Sequence, residues 1–172
     1  MDTVIQVGEE APDFALPDLQ GKVHRLSKQR GRLVVVNFWS AECPWAERAD
    51  QTLLEDLHHW GEAVQLWPIA SNANESPSLV ERVASERGLP LVLLDEDQKV
   101  ADLYGAQTTP HLFVIDEQGI LRYQGAINDV TFRQREPTHY YLREAVEALL
   151  AGRQPQTPQT SPYGCAIVRF WE

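Results

Sequence analysis

Apolar residues occur in short runs along the chain, and polar turns separate these runs. The valine-rich run GRLVVVNFW (31–39) is almost continuous, which is typical of a central strand buried on both faces. Four other stretches predict strands: residues 11–27, 63–72, 89–95 and 110–127. The first is expected to form a hairpin that turns near Gly21, and the last a hairpin that turns at Glu117–Gly119.

Helical spacing alternates with these strand signals. The predicted helices span residues 44–60, 77–87, 98–106 and 136–152. Pro44 fits the first position of the first helix, where a missing N–H is harmless. Ser76 can cap the second helix at its N-terminus, and Gly88 can end it.

The order of these elements predicts the fold class. A hairpin followed by β-α-β-α-β-α-β-β-α indicates an α/β fold, in which a central mixed sheet is flanked by helices on both faces. We assign residues 1–152 to this domain. Residues 153–172 are expected to form an exposed proline-rich linker and an apolar tail, CAIVRFW, that docks somewhere.

The composition excludes several classes of function. The formal net charge is −10, and the basic residues form no cluster, so a nucleic-acid or anionic-membrane surface is not expected. No apolar run approaches the roughly 18 residues that span a bilayer, and no leader is visible, so we expect a cytoplasmic protein. Two cysteines without a CxxC pair predict no metal site, and the chain carries no recognisable cofactor motif.

Cys43 lies where the buried strand ends and the first helix begins. Unpaired N–H groups and the helix dipole stabilise an anion at such a position. A thiolate is therefore expected there more readily than at the usual pKa of about 8.5, and the thiolate is the reactive form. The alternative is that Cys43 is only a small buried core residue.

Three motifs, in the right order, resemble the thioredoxin superfamily. The stretch NFWSAEC resembles the strand and nucleophilic cysteine of that superfamily, and QTTPHLFVIDEQGILRYQGAI resembles its Thr-cis-Pro loop and hairpin. The opening GEEAPDFALPDLQGK is similar to redoxin and AhpC/TSA-type members, which carry an extra N-terminal hairpin. The resemblance runs from about residue 7 to about residue 152. The ending PYGCAI also resembles that of a redoxin-like subgroup.

The resemblance implies a substrate site around Cys43. Thr109–Pro110 would be a cis peptide beside this cysteine, and the backbone of Thr109 would pair with an extended substrate like an added strand. Trp45 could form a substrate wall, and Ser40 fits the hydroxyl that supports a peroxidatic thiolate.

The sequence also departs from the relatives it resembles. The second cysteine of the thioredoxin motif is replaced by Ala46, and the buried aspartate by Asn37. Two residues that orient the peroxide in peroxiredoxins are also missing. Val36 occupies the position of their proline, and Pro110 occupies the position of their arginine. Disulfide exchange is therefore favoured over peroxide reduction.

Cys165 is the remaining cysteine and the candidate to resolve a product formed on Cys43. The chain from Gly152 to Cys165 reaches at most roughly 45 Å, which is enough to cross the domain. The apolar residues of the tail could anchor it: Ile167, Val168, Phe170 and Trp171. The alternative is that CAIVRFW is a packing strand in which Cys165 only fills space.

Three functions remain open at this point. The first is a thiol–disulfide oxidoreductase that acts on a protein or small-molecule disulfide and takes electrons from an external thiol. The second is a thiol peroxidase that uses the same cysteine. The third is a binding module without turnover. A monomer or a homodimer is expected.

Overall fold

The structure is a computed structural model that describes residues 5–169. Its strands are Ala15–Pro17 (β1), Val23–Arg25 (β2), Leu33–Trp39 (β3), Val64–Ala70 (β4), Leu93–Leu94 (β5), Thr108–Thr109 (β6), His111–Ile115 (β7), Leu121–Gly125 (β8) and Cys165–Ala166 (β9). Its α-helices are Pro44–Trp60 (α1), Pro77–Arg87 (α2), Lys99–Tyr104 (α3) and Tyr141–Leu150 (α4). None of the helices in this part of the chain has both the length and the apolar character needed to cross a membrane.

The predicted central mixed sheet is confirmed. Five strands lie in the order β5-β4-β3-β7-β8. Strands β3, β4 and β5 are parallel, β7 is antiparallel to β3, and β8 is antiparallel to β7. Strand β3 is buried along its whole length, and Val35 pairs with Leu66 on one side and Val114 on the other. Alternate residues of β3 enter two different apolar clusters, because successive side chains of a strand point to opposite faces. Helices therefore cover both faces of the sheet.

The N-terminal hairpin is also present. Strands β1 and β2 pair in antiparallel register, with Leu16 opposite His24. Asp18 holds the turn, because one of its carboxylate oxygens accepts the backbone N–H groups of Gln20 and Lys22. An isolated bridge between Asp18 and Leu93 joins this hairpin to β5.

Residues typical of helix ends correctly predicted where the first two long helices lie. Helix α1 begins at Pro44 and ends at Trp60, as predicted. In α2 the side chain of Ser76 accepts the N–H of Leu79, and Gly88 ends the helix with a left-handed φ of 74°.

The predicted start of the last helix is wrong by five residues. Helix α4 begins at Tyr141, whereas the sequence pattern placed its start at Glu136. The intervening segment is held in a loop, because the carboxylate of Asp129 accepts the backbone N–H and the hydroxyl of Thr138. This partner lies nine residues earlier in the chain, so helical periodicity could not reveal it.

The linker is exposed, as expected, but it does not hang free. Gln124 in β8 donates its N–H to Pro158, and Thr160 donates its N–H back to Gln124. The chain approaches so closely here that a Cβ at Gly125 would collide with Thr160. The proposed boundary between residues 152 and 153 stays a prediction, although the following segment extends the edge of the sheet.

In its described part, the C-terminal tail docks on the domain through the apolar Ile167 and several polar contacts. Ile167 is 7% exposed and belongs to the largest apolar cluster. Val168 exchanges hydrogen bonds with the loop after β4: its N–H donates to Asn72 Oδ1, and its carbonyl accepts the N–H of Ala73. The other predicted anchors, Phe170 and Trp171, lie outside the described residues.

We predict that Ile167→Ala lowers the free energy of unfolding of the oxidised protein by about 2–4 kcal/mol, because it leaves a cavity in the main core. Denaturant unfolding monitored by tryptophan fluorescence would measure the change. Val168→Ala is the matched control, since Val168 is 40% exposed and its truncation should change stability by less than about 0.5 kcal/mol. Equal effects of the two substitutions would contradict the docking of the tail.

Candidate active site

Cys43 occupies the junction that the sequence predicted. It is the N-cap residue of α1, directly before Pro44, and it is 3% exposed. The side chain of Cys43 makes no capping hydrogen bond to the helix within the part of the chain that the structure describes. The N-terminal dipole of α1 is therefore available to stabilise a negative charge on the sulfur when the cysteine is reduced.

Cys165 lies against Cys43, although 122 residues separate them in the chain. The two cysteines form a disulfide, with their Cα atoms 6.2 Å apart, a normal separation for such a bond. Cys165 is partly exposed, whereas Cys43 is buried. The structure thus brings together the two cysteines that the sequence put forward.

The peptide bond between Thr109 and Pro110 is cis, as the resemblance implied. Sγ of Cys43 lies 3.1 Å from the carbonyl oxygen of Thr109. The backbone edge of Thr109 was expected to receive a substrate strand. It is instead paired with the protein's own tail, because β6 and β9 form an antiparallel ladder in which Thr109 faces Cys165.

Glu75 holds the loop that carries Cys43. Its carboxylate accepts the hydroxyl of Ser40 at 2.5 Å and the backbone N–H of Ala41 at 2.7 Å. It also accepts the amide N–H of Asn72, whose oxygen binds the tail. The Ser40 hydroxyl is thus committed to Glu75 rather than directed at the sulfur, and a role for Ser40 toward substrate stays a prediction.

Arg87 fixes the same loop from the other side. Its guanidinium donates to the carbonyl oxygens of Ser40 and Ala41 at 3.1 and 2.6 Å. It also pairs with the carboxylate of Asp50 at 3.1 Å and lies over the ring of Trp39. The indole N–H of Trp39 donates to Asp50 at 2.7 Å, so the buried Trp39 serves this network as well as the core.

Asp50 carries an unusual ionisation. Burial raises its pKa to about 6, and the hydrogen bond from Trp39 and the charge of Arg87 only partly oppose this effect. Asn37 in β3, which replaces the buried aspartate of thioredoxins, is fully buried, and its amide atoms have no hydrogen-bond partner among the described residues. An acid is thus present near the loop, but in α1 rather than in β3.

Trp45 lies beside the disulfide and is half-buried. Its ring meets that of Tyr163 edge-on, with 5.0 Å between the centroids. Next to this pair a groove runs along Pro110 and Val130. This arrangement is compatible with the predicted substrate wall, and the role of Trp45 stays a prediction.

The sequence analysis missed several residues of the site: Asp50, Glu75, Arg87, Tyr163 and Gly164. One signal could have found Glu75. Strands β3 and β4 are parallel neighbours, so the loops that follow them meet at the same edge of the sheet. No such rule identifies Arg87, which reaches the site from the last turn of α2.

Metal ligation has no support in this region. Within residues 5–169 no group of three His, Cys, Asp or Glu side chains is placed to hold a metal ion. His111, which follows Pro110, is buried, and burial lowers its pKa to about 4. It is therefore neutral at physiological pH.

Comparison with known proteins identifies the fold and then the family. The thioredoxin domain of a thiol-disulfide oxidoreductase from Bacteroides vulgatus superposes with a TM-score of 0.63 at 20% identity, over 76% of this chain and 93% of that one. The fold is therefore thioredoxin-like. The AhpC/TSA family matches residues 7–124, and the chain belongs to this family.

Two relatives are more similar in sequence. Thiol-disulfide oxidoreductase ResA of Geobacillus thermodenitrificans (strain NG80-2) is 35% identical over 118 residues, or 68% of this chain and 67% of that protein. The crystal structure of an uncharacterized conserved protein from Geobacillus kaustophilus superposes with a TM-score of 0.87 at 30% identity, covering 97% of this chain and 93% of that one. The relative named thiol-disulfide oxidoreductase ResA supports an oxidoreductase that works by thiol–disulfide exchange, not a peroxidase.

The raised pKa of Asp50 predicts a pH-dependent stability. The folded protein holds the proton up to about pH 6, whereas the unfolded chain releases it near about pH 4. The folded state therefore binds more protons between these values, and stability falls as the pH rises through them. Relative to Asp50→Asn, the wild type should lose about 2 kcal/mol between pH 4 and pH 7. Denaturant unfolding of both proteins across this range would test it, and a constant difference would contradict it.

Glu75→Ala should loosen the loop around Cys43. The substitution leaves the N–H of Ala41 and the Ser40 hydroxyl without their acceptor, so unfolding free energy should fall by about 1–3 kcal/mol. Glu81→Ala, on the exposed face of α2, is the matched control and should change stability by less than about 0.5 kcal/mol. Thermal unfolding of the two variants measures the difference. A loss no larger than that of the control would show that Glu75 does not hold the loop.

Proposed function

We propose that this chain catalyses thiol–disulfide exchange with Cys43 as the nucleophile and Cys165 as the resolving thiol, the one that releases the product. The observation that carries the proposal is the Cys43–Cys165 disulfide at the start of α1, beside the cis Thr109–Pro110 peptide. A nucleophile needs a position that stabilises its thiolate, and the N-terminus of a helix provides one. The relatives named thiol-disulfide oxidoreductase support the same reaction.

The reaction has two exchange steps, written here in the direction of substrate reduction. The Cys43 thiolate attacks one sulfur of the substrate disulfide, forms a mixed disulfide, and expels the other sulfur as a thiolate. The Cys165 thiolate then attacks Sγ of Cys43. This step forms the Cys43–Cys165 disulfide and expels the second substrate sulfur as a thiolate. The substrate gains two electrons, the enzyme dithiol loses them, and an external thiol reductant restores the dithiol.

The tail replaces the second cysteine of the thioredoxin motif, where this chain has Ala46. Ile167 and Val168 hold Cys165 close to Cys43 through contacts that do not involve sulfur. This anchoring raises the effective concentration of the resolving thiol and favours closure of the intramolecular disulfide. In the cytoplasm that we expect for this protein, such a disulfide would be a transient state of the reaction cycle.

The substrate is a protein or small-molecule disulfide. The disulfide at Cys43 and the nearby carbonyl of Thr109 suit a sulfur partner rather than a peroxide. A peroxiredoxin-type site would have a proline where this chain has Val36 and an arginine where it has Pro110, so peroxidase activity has weaker support.

We predict that Cys165→Ser traps the mixed disulfide. With a small aromatic disulfide reagent, this variant should release one thiol per chain and then stop. The wild-type protein should also release a second thiol, at a rate at least about 100-fold higher than any second release by the variant. Absorbance of the released thiol and intact-protein mass spectrometry would measure both steps.

Cys43→Ser is the matched control for the first step, because it keeps Cys165 in the tail. It should form the initial mixed disulfide at least about tenfold more slowly, since the remaining thiol lacks the helix N-terminus. Faster reaction at Cys165 than at Cys43 would reverse the two roles. Release of the second thiol by Cys165→Ser at the wild-type rate would exclude Cys165 as the resolving residue.

A further inference from the structure

The tail lies where an added substrate strand would lie. Thr109 pairs with Cys165 and Thr108 with Ala166 in the antiparallel β6–β9 ladder. The ladder continues when Ile167 donates its N–H to the carbonyl of Gln107. A strand that delivers a sulfur to Cys43 beside this edge must therefore adopt the path that the tail already follows.

This path restricts the residue that precedes the incoming cysteine. In the tail that residue is Gly164, and a Cβ built there would collide with the carbonyl oxygen of Thr109. The same Cβ would lie 2.8 Å from Thr109 C and 3.0 Å from Pro110 Cδ. Both partners belong to the rigid backbone and ring of the cis peptide, so they cannot move aside as a flexible side chain would. Only a glycine fits without displacement.

The residue two positions before the incoming cysteine has a different environment. In the tail it is Tyr163, whose ring forms a T-shaped pair with that of Trp45. The Tyr163 hydroxyl accepts the N–H of Phe132 at 2.7 Å, so the ring is held at both ends. An aromatic residue at this point of a bound strand therefore gains a favourable aromatic pair with Trp45.

We propose that Tyr163–Ala166 occupies the substrate site, and that the substrate is therefore an extended peptide in which the reacting cysteine follows a glycine and an aromatic residue precedes that glycine. This inference rests on the proposed exchange reaction and adds its substrate class. Tail and substrate occupy the site in turn. The substrate binds when the tail has left, and the returning tail displaces the substrate cysteine as Cys165 attacks Sγ of Cys43.

The test uses reduced Cys165→Ser protein and short peptides whose cysteine carries a thionitrobenzoate leaving group. Attack by Cys43 on the peptide sulfur forms the protein–peptide disulfide and expels the coloured thiolate, which reports the rate. The reference peptide is Pro-Tyr-Gly-Cys-Ala-Ile. Replacing its glycine by valine should slow the reaction about tenfold or more, through the collision with Thr109. Replacing its tyrosine by alanine should slow it about threefold to tenfold.

The outcomes separate this inference from the reaction on which it rests. A small symmetrical disulfide reagent is measured in parallel. If the protein reacts with neither the reagent nor the peptides, the exchange function itself is wrong. If it reacts with the reagent but treats the three peptides alike, or with no peptide, the exchange function stands and the substrate class is overturned.

A second pair of variants tests whether the tail blocks the site. In the Cys165→Ser background, Gly164→Val should push the tail away from Thr109 and raise the rate with the reference peptide at least about threefold. Ser161→Val is the matched control, because Ser161 is an exposed tail residue outside the site. It should leave the rate unchanged. Equal rates for the two variants would show that the tail does not compete with the peptide.

Discussion

The burial of β3 determines where the reactive sulfur lies. All seven residues of this strand are buried, and it pairs with β4 on one side and β7 on the other. A strand held on both edges and both faces has little freedom to shift, so its end is a fixed point. Cys43 follows that end after a loop of three residues and is the N-cap residue of α1. The cis Thr109–Pro110 peptide immediately precedes β7, so the same strand pairing brings it to the sulfur.

Short-range signals made much of this arrangement predictable. Pro44 after Cys43 gave the start of α1, and Ser76 and Gly88 gave both ends of α2, because these residue types act through hydrogen bonds to their own helix. The resemblance to the thioredoxin superfamily also implied the cis peptide between Thr109 and Pro110. Features of this kind depend on a few neighbouring residues, which a single sequence displays directly.

Long-range contacts account for what the sequence did not reveal. The late start of α4 depends on Asp129, and the support of the Cys43 loop depends on Glu75 and Arg87, which are 32 and 44 residues away from Cys43 by numbering. The linker looked like a free spacer because its composition is polar, yet its backbone pairs with β8. Composition describes how a segment interacts with water, whereas pairing depends on which open edge lies beside it.

The pairing of the linker with β8 changes the mechanics of the tail. The chain is fastened at Thr160, where backbone and side-chain hydrogen bonds join it to Gln124 and Ala126. The pivot of any swinging motion is therefore Thr160 rather than Gly152, and five peptide units allow Cys165 an arc of at most roughly 18 Å radius. A sulfur on so short an arm sweeps a small volume around Cys43 and stays available for recapture. The same fastening shields the outer edge of the sheet, which would otherwise offer unpaired backbone groups to another chain.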